Sequence, residues 1–205
     1  MESTLESTQG MAQPRRNHHT LGRLIGYHGC DRHLSEAIFS GVSTLLPSQN
    51  DYDWLGPGSY FWIDSPERAL DWARVQKSIK TPSVIGAFIH PGLCLNLTDY
   101  GVMSELEHAF TTLRETLAQT KTALPQNRRL KDGVYLVRHL DCAVIKTVHE
   151  LRKMSEQPAY DSVYGVFEEG PPLYPNSGFR KKTHVQLAVM NPNCIIGYFR
   201  VNGYA

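Results

Sequence analysis

The chain has 205 residues, a net charge of +1, 41% hydrophobic and 20% charged residues. That length supports one domain with a real core, and the near-neutral charge gives no strong drive toward nucleic acid or membrane. The four cysteines, Cys30, Cys94, Cys142 and Cys194, are far apart and form no CxxC pair, which argues against zinc and against a dense disulfide framework.

Met1 to Thr20 is polar and lacks the apolar centre of a secretion signal, so residues 1–20 read as a flexible tail on a cytoplasmic protein. No apolar run approaches the length of a membrane-spanning helix. Residues 21–205 then read as one domain. Gly22 to His28 is an expected strand, followed by a short helix from Asp31, a plausible N-cap, to Gly41, its stop. Ser43 to Asp53 is a polar loop and Ser59 to Ile63 a second strand. Asp64-Ser65-Pro66-Glu67 starts a helix, with Pro66 suited to its first turn. Ser83 to Ile89 and Leu93 to Leu97 are expected strands. Ser104 to Thr120 and Leu136 to Lys153 are expected helices. Asp161 to Arg180 is rich in glycine and proline and reads as loop. His184 to Met190 and Cys194 to Val201 are expected terminal strands. Strands at both ends with helices between give an α+β class.

Two segments carry the chemical information. Tyr27-His28-Gly29 ends an apolar strand with an imidazole beside a glycine, whose bare backbone a ligand can approach. Leu55-Gly56-Pro57-Gly58-Ser59-Tyr60-Phe61-Trp62 is a tight turn feeding an aromatic strand. A flat ring bearing an amide wants an aromatic face to stack on and backbone to hydrogen-bond. These parts make a pocket only where the two strands lie together.

The order of these motifs resembles that of ADP-ribosyltransferases of the diphtheria-toxin and poly(ADP-ribose)-polymerase type. Those carry a His-Gly pair at the end of a first core strand, then a helix, a long loop and a Gly-x-Gly-x-Tyr-Phe strand. The chain is also similar to small bacterial proteins with Gly-Phe-Arg-x-Lys-Thr-His-x-Gln near the C-terminus, present here as Gly178 to Gln186. The resemblance spans about Leu21 to Val201. It implies two packed, mostly antiparallel sheets flanked by helices, with an NAD cleft between them and no metal. It implies that His28 hydrogen-bonds the adenosine ribose of NAD. The Gly29 backbone would hold the nicotinamide carboxamide. Tyr60 would stack on nicotinamide with its hydroxyl near the ribose, and Trp72 would cover the other ring face. The family often has a serine for the carboxamide three residues before that second aromatic; this chain has Ala69.

The family's polymerases place glutamate at the head of a late strand, where this chain has Gln186. Glutamine keeps a hydrogen bond to the ribose and loses the charge that would stabilise the breaking bond. Glu168 and Glu169 are the candidate replacements for that carboxylate. Arg180-Lys181-Lys182, with Arg128, Arg129 and Lys131, is a basic set that could meet phosphates. The expected activity is therefore NAD-dependent mono-ADP-ribosyl transfer to a macromolecular acceptor, with RNA or DNA slightly favoured over protein. By resemblance the chain is an intracellular bacterial toxin or phage-defence effector with an antitoxin partner. NAD glycohydrolysis and simple NAD or ADP-ribose binding are the alternatives.

Overall fold

The computed structural model describes residues 21–129 and 135–204. The expected tail over residues 1–20 and the Lys131 position lie outside the described residues. The elements run β1 (Leu24–Asp31), α1 (Arg32–Phe39), β2 (Ser59–Ile63), α2 (Pro66–Val75), β3 (Pro82–Ile89) and β4 (Cys94–Asn96). They continue with α3 (Met103–Gln119), β5 (Asn127–Arg129), β6 (Tyr135–Arg138), α4 (His139–Met154), β7 (Ser162–Phe167), β8 (His184–Val189) and β9 (Ile195–Arg200). The class is α+β. No helix among the described residues is long and apolar enough to cross a membrane.

Seven strands form one sheet in the order β4-β7-β8-β2-β1-β3-β9, and β5 pairs with β6 in a small second sheet. This differs from the expected pair of packed sheets. The reason is β2, which pairs antiparallel with β8 on one side and with β1 on the other, and so joins both groups of strands. All pairings in the large sheet are antiparallel except β4 with β7.

The period-2 alternation of the strands sorts their side chains onto two faces. Phe61, Ile63, Ile85, Ile89, Leu187 and Val189 bury one face against Ile38 and Leu34 of α1. The other face is covered twice. At the β7 end, Leu95, Val163, Phe167 and Ala188 pack on Ala109 of α3 and on Ile145 and Val148 of α4. Toward β1, Trp62 and Val84 pack on Ala69, Leu70 and Trp72 of α2. Tyr60 belongs to the first of these groups and Trp62, two residues on, to the second. The strand they share crosses the gap between the two helical layers, and the cleft lies there.

Local capping fixes the elements beside it. Asp31 ends β1 and starts α1, accepting the N–H of His33 at 3.0 Å through Oδ1. Its Oδ2 accepts the N–H groups of Lys80 and Thr81, at 2.8 and 3.0 Å, and so also ties down the chain entering β3. These bonds hold the Asp31 carboxyl below the usual aspartate range. Pro66 opens α2, where its missing N–H costs nothing.

Candidate active site cleft

The site begins where a ladder stops. β1 and β2 pair at Gly26↔Ile63 and Tyr27↔Trp62, while β1 stays paired with β3 to its end. Past Tyr27 the two strands part. The half-buried His28 imidazole bridges the opening, with Nδ1 2.8 Å from the Tyr60 carbonyl oxygen. A carbonyl only accepts, so Nδ1 carries the proton. Desolvation lowers the His28 pKa, and in the neutral ring Nε2 keeps a free lone pair. The cleft beyond has a volume of about 630 Å³, within the range of small-molecule sites.

His28, Tyr60, Trp72, Gln186 and Glu169 all line this cleft; Gly29 and Glu168 do not. Gly29 turns toward α2, where an added Cβ would meet the Ala69 carbonyl oxygen at 2.2 Å. It is glycine because the helix lies directly on it. The Tyr60 hydroxyl is also committed. It accepts the Leu55 N–H at 2.9 Å and donates to the Gly56 carbonyl at 2.7 Å, clasping its own turn. Burial pushes this phenol well above the ordinary tyrosine range. Its ring borders the cleft, and the one proton of the hydroxyl expected near a ribose is already given to the turn.

Trp72, from α2, sits 5.5 Å from Trp62 between ring centres, at an interplanar angle of 46°. Gln186 lies opposite Trp62 in the β2–β8 register and is 8% exposed. Among the described residues, no hydrogen bond engages its side-chain amide. The two glutamates divide. Glu168 is 71% exposed at its side chain and 3.9 Å from Arg180. Glu169 is 16% exposed and binds Arg68 of α2 through Oε2 at 2.5 Å. Glu169 is therefore the carboxylate of the pair that reaches the cleft.

Arg68, Asp71, Trp62, Lys182 and His184 also line the wall; of these only Lys182 had a role read from the sequence, as part of the basic run. Arg68 also contacts Asp71 at 3.4 Å, and Lys182 donates to the same Asp71 oxygen at 2.9 Å. The Lys182 ammonium, foremost, holds the Asp71 carboxyl low. The basic run is thus largely neutralised. Arg180 donates to the Gly170 carbonyl and faces Glu168, Lys182 is held by Asp71, and Lys181 remains exposed. Arg128 is exposed on β5 opposite Val137, which lines the cleft, but is not itself a lining residue. Among the described residues, no group of three His, Cys, Asp or Glu side chains is placed to hold a metal ion.

His184 sits among the rings of Trp54, Trp62 and Phe167, with centres 6.2, 6.3 and 5.8 Å away. Its Nδ1 lies 2.6 Å from the Lys182 carbonyl and therefore carries the proton. Burial lowers the pKa of His184, as it does for His28 and for His149 of α4. Each then binds a proton less readily folded than unfolded, so the unfolded chain takes up more protons just below the ordinary value of 6.5. Stability is full above that pH and is lost as pH falls through the depressed folded values. The expected result is a Tm that drops by several degrees between about pH 7 and pH 5.5. Calorimetry across that range checks it, and His184→Phe should flatten the slope.

No protein-family model matches the chain. It is 24% identical over 196 residues to an uncharacterised protein of Methanocaldococcus jannaschii, covering 84% of this chain and 85% of that protein. Among solved structures it aligns with an anti-CRISPR protein at a TM-score of 0.38 and 14% identity, over 87% of this chain and 96% of the other.

Proposed function

We propose that the chain is an NAD-dependent mono-ADP-ribosyltransferase of the diphtheria-toxin and poly(ADP-ribose)-polymerase type. The observation that carries this reading is the parted β1–β2 ladder. It opens a cleft lined by His28, Tyr60 and, through the β2–β8 pairing, Gln186, residues distant in sequence, and this supports the reading. His28 offers its Nε2 lone pair to a ribose hydroxyl. Tyr60, Trp62 and Trp72 give the aromatic surfaces. Arg68 and Lys182 are the cations on the wall, and meeting a diphosphate there exchanges a carboxylate partner for a phosphate.

In the reaction the bond between nicotinamide and ribose breaks, and nicotinamide leaves as a neutral ring. The acceptor's nucleophile forms the new bond to the ribose carbon and loses a proton. Positive charge grows on the ribose as the bond lengthens. Glu169 supplies the carboxylate that meets this charge, while Gln186 donates or accepts a neutral hydrogen bond beside it. The chain's share is positioning and electrostatics.

Incubation with radiolabelled NAD and cell lysate tests the reading, with nicotinamide release and label transfer measured separately. Release with transfer supports it. Release without transfer makes water the acceptor, and binding without release makes the chain a binding module. His28→Ala should weaken NAD binding by roughly 1–3 kcal/mol, since it leaves a ligand hydroxyl unpaired. Unchanged affinity by titration calorimetry would remove His28 from the site.

A further inference from the structure

Glu169 faces two demands that cannot be met at once. Its carboxylate is the charge that meets the cation growing on the ribose, yet a cation already sits on it. Arg68 Nη2 is 2.5 Å from Oε2, and the two side chains are 13% and 16% exposed. At that distance, with little water around the pair, the guanidinium cancels most of the carboxylate's field at the ribose. His184 Nδ1 lies 3.8 Å from the same oxygen, but its proton goes to the Lys182 carbonyl at 2.6 Å and leaves Glu169 to Arg68.

The fold builds this contact from two sides. Arg68 and Asp71 are three residues apart on α2 and share a face of the helix. Opposite them the two ends of the β7–β8 connection close on each other, where the Lys182 N–H donates to the Glu169 carbonyl at 2.9 Å. Ion pairs cross between the two elements. Arg68 holds Glu169, Lys182 holds Asp71 at 2.9 Å, and Asp71 is also 3.4 Å from Arg68. Two cations and two carboxylates balance there. Arg68 is nonetheless incompletely used. Its Nε is buried and has no hydrogen-bond partner among the described residues, and a buried donor left unpaired costs stability. Nε and a terminal nitrogen of a guanidinium form a fork that fits two phosphate oxygens.

Resting on the NAD reading above, we propose that Arg68 is an inhibitory clamp on Glu169 that the substrate's own diphosphate releases. A diphosphate carries more charge than one carboxylate, and it engages both the Nε edge of Arg68 and the Lys182 ammonium. Arg68 then gives up Oε2, so Glu169 is bare only while a diphosphate occupies the wall. Bond breaking is thereby tied to the ADP half of the substrate, which takes no part in the chemistry. A molecule with the same nicotinamide–ribose bond and no phosphate meets a neutralised Glu169 and is cleaved slowly.

Nicotinamide riboside and ADP, which together hold both halves of NAD, give the test. In riboside cleavage the bond from nicotinamide to ribose breaks and nicotinamide leaves with the electron pair as a neutral ring. Water bonds to the ribose carbon and loses a proton. Nicotinamide release is measured with lysate as the source of acceptor, and the rate of lysate alone is subtracted. ADP should raise release from the riboside by the wild-type protein at least about tenfold. Arg68→Gln keeps a hydrogen bond to Glu169 and removes the charge. Without ADP it should cleave the riboside about tenfold faster than wild type, with ADP adding about twofold or less, while release from NAD falls. An arginine that only held the fold together would lower both rates on removal. Arg68→Met keeps the length without the charge, should behave alike, and decides where Arg68→Gln shows a collapsed Tm. Riboside cleavage by the wild type that ignores ADP overturns the clamp, as does a folded variant whose cleavage stays slow and ADP-dependent. A wild type that releases no nicotinamide from NAD overturns the NAD reading itself.

Discussion

Glu169→Gln should lower nicotinamide release by about two to three orders of magnitude, because it removes the negative charge that meets the developing cation. The substitution nearly preserves volume and keeps an acceptor for Arg68, so Tm should fall by only a few degrees. Glu168→Gln is the control. That side chain is exposed, lies outside the cleft and should leave the rate near wild type. Gln186→Ala should also abolish transfer with the fold intact, and Gln186→Glu should be tolerated or gain NAD hydrolysis. If Glu169→Gln releases nicotinamide at the wild-type rate, the carboxylate has no part in bond breaking.

Gly29→Ala should cost at least about 3 kcal/mol of stability, a large share of what a domain of this size has. A methyl group there sits 2.2 Å from the Ala69 carbonyl oxygen, a backbone atom that no rotamer change moves. Either α2 lifts from β1 or β1 bends, and both disturb Trp62, Ala69 and Val84 in the small core beneath the helix. Urea unfolding measures the loss. A substituted protein within 1 kcal/mol of wild type, a difference equal to a few degrees of Tm, would show that the helix yields easily.

Much of the backbone was legible because its signals are local. Ser59–Ile63 emerges as a strand between the bounds expected, set by the turn before it and the Asp64 to Pro66 helix start after it. Asp31 caps α1 as read. Other elements depend on pairing that no local signal carries. Ser162–Phe167 is strand β7, although its glycine and the prolines beyond made the whole region read as loop. Its Val163 and Val166 were the available hint, and β8 alongside is what makes it a strand. The helix expected from Leu136 starts at His139, because the residues before it pair with β5. The joining of all seven strands into one sheet rests on the Gly26 and Tyr27 contacts with β2, which are invisible in composition or periodicity.

The site divides in the same way. His28, Tyr60 and Gln186 were found through motifs and do share a cleft, whereas Gly29 does not line it and packs under α2. Glu168 and Glu169 are neighbours in sequence, and only their direction off the end of β7 separates them. His184 belonged to a quoted motif with no role of its own. Its importance comes from the Lys182 carbonyl and three aromatic rings, contacts assembled only by folding.

The brief contact between β1 and β2 has a mechanical consequence. A sheet joined across its middle by Gly26↔Ile63 and Tyr27↔Trp62 behaves as two stiff plates on a narrow hinge, with His28 as a stitch beside it. Opening the plates stretches that stitch before it strains any other ladder. Ligand entry and the integrity of the sheet therefore draw on the same few bonds, and among the inner pairings the amides of this seam should exchange with solvent soonest.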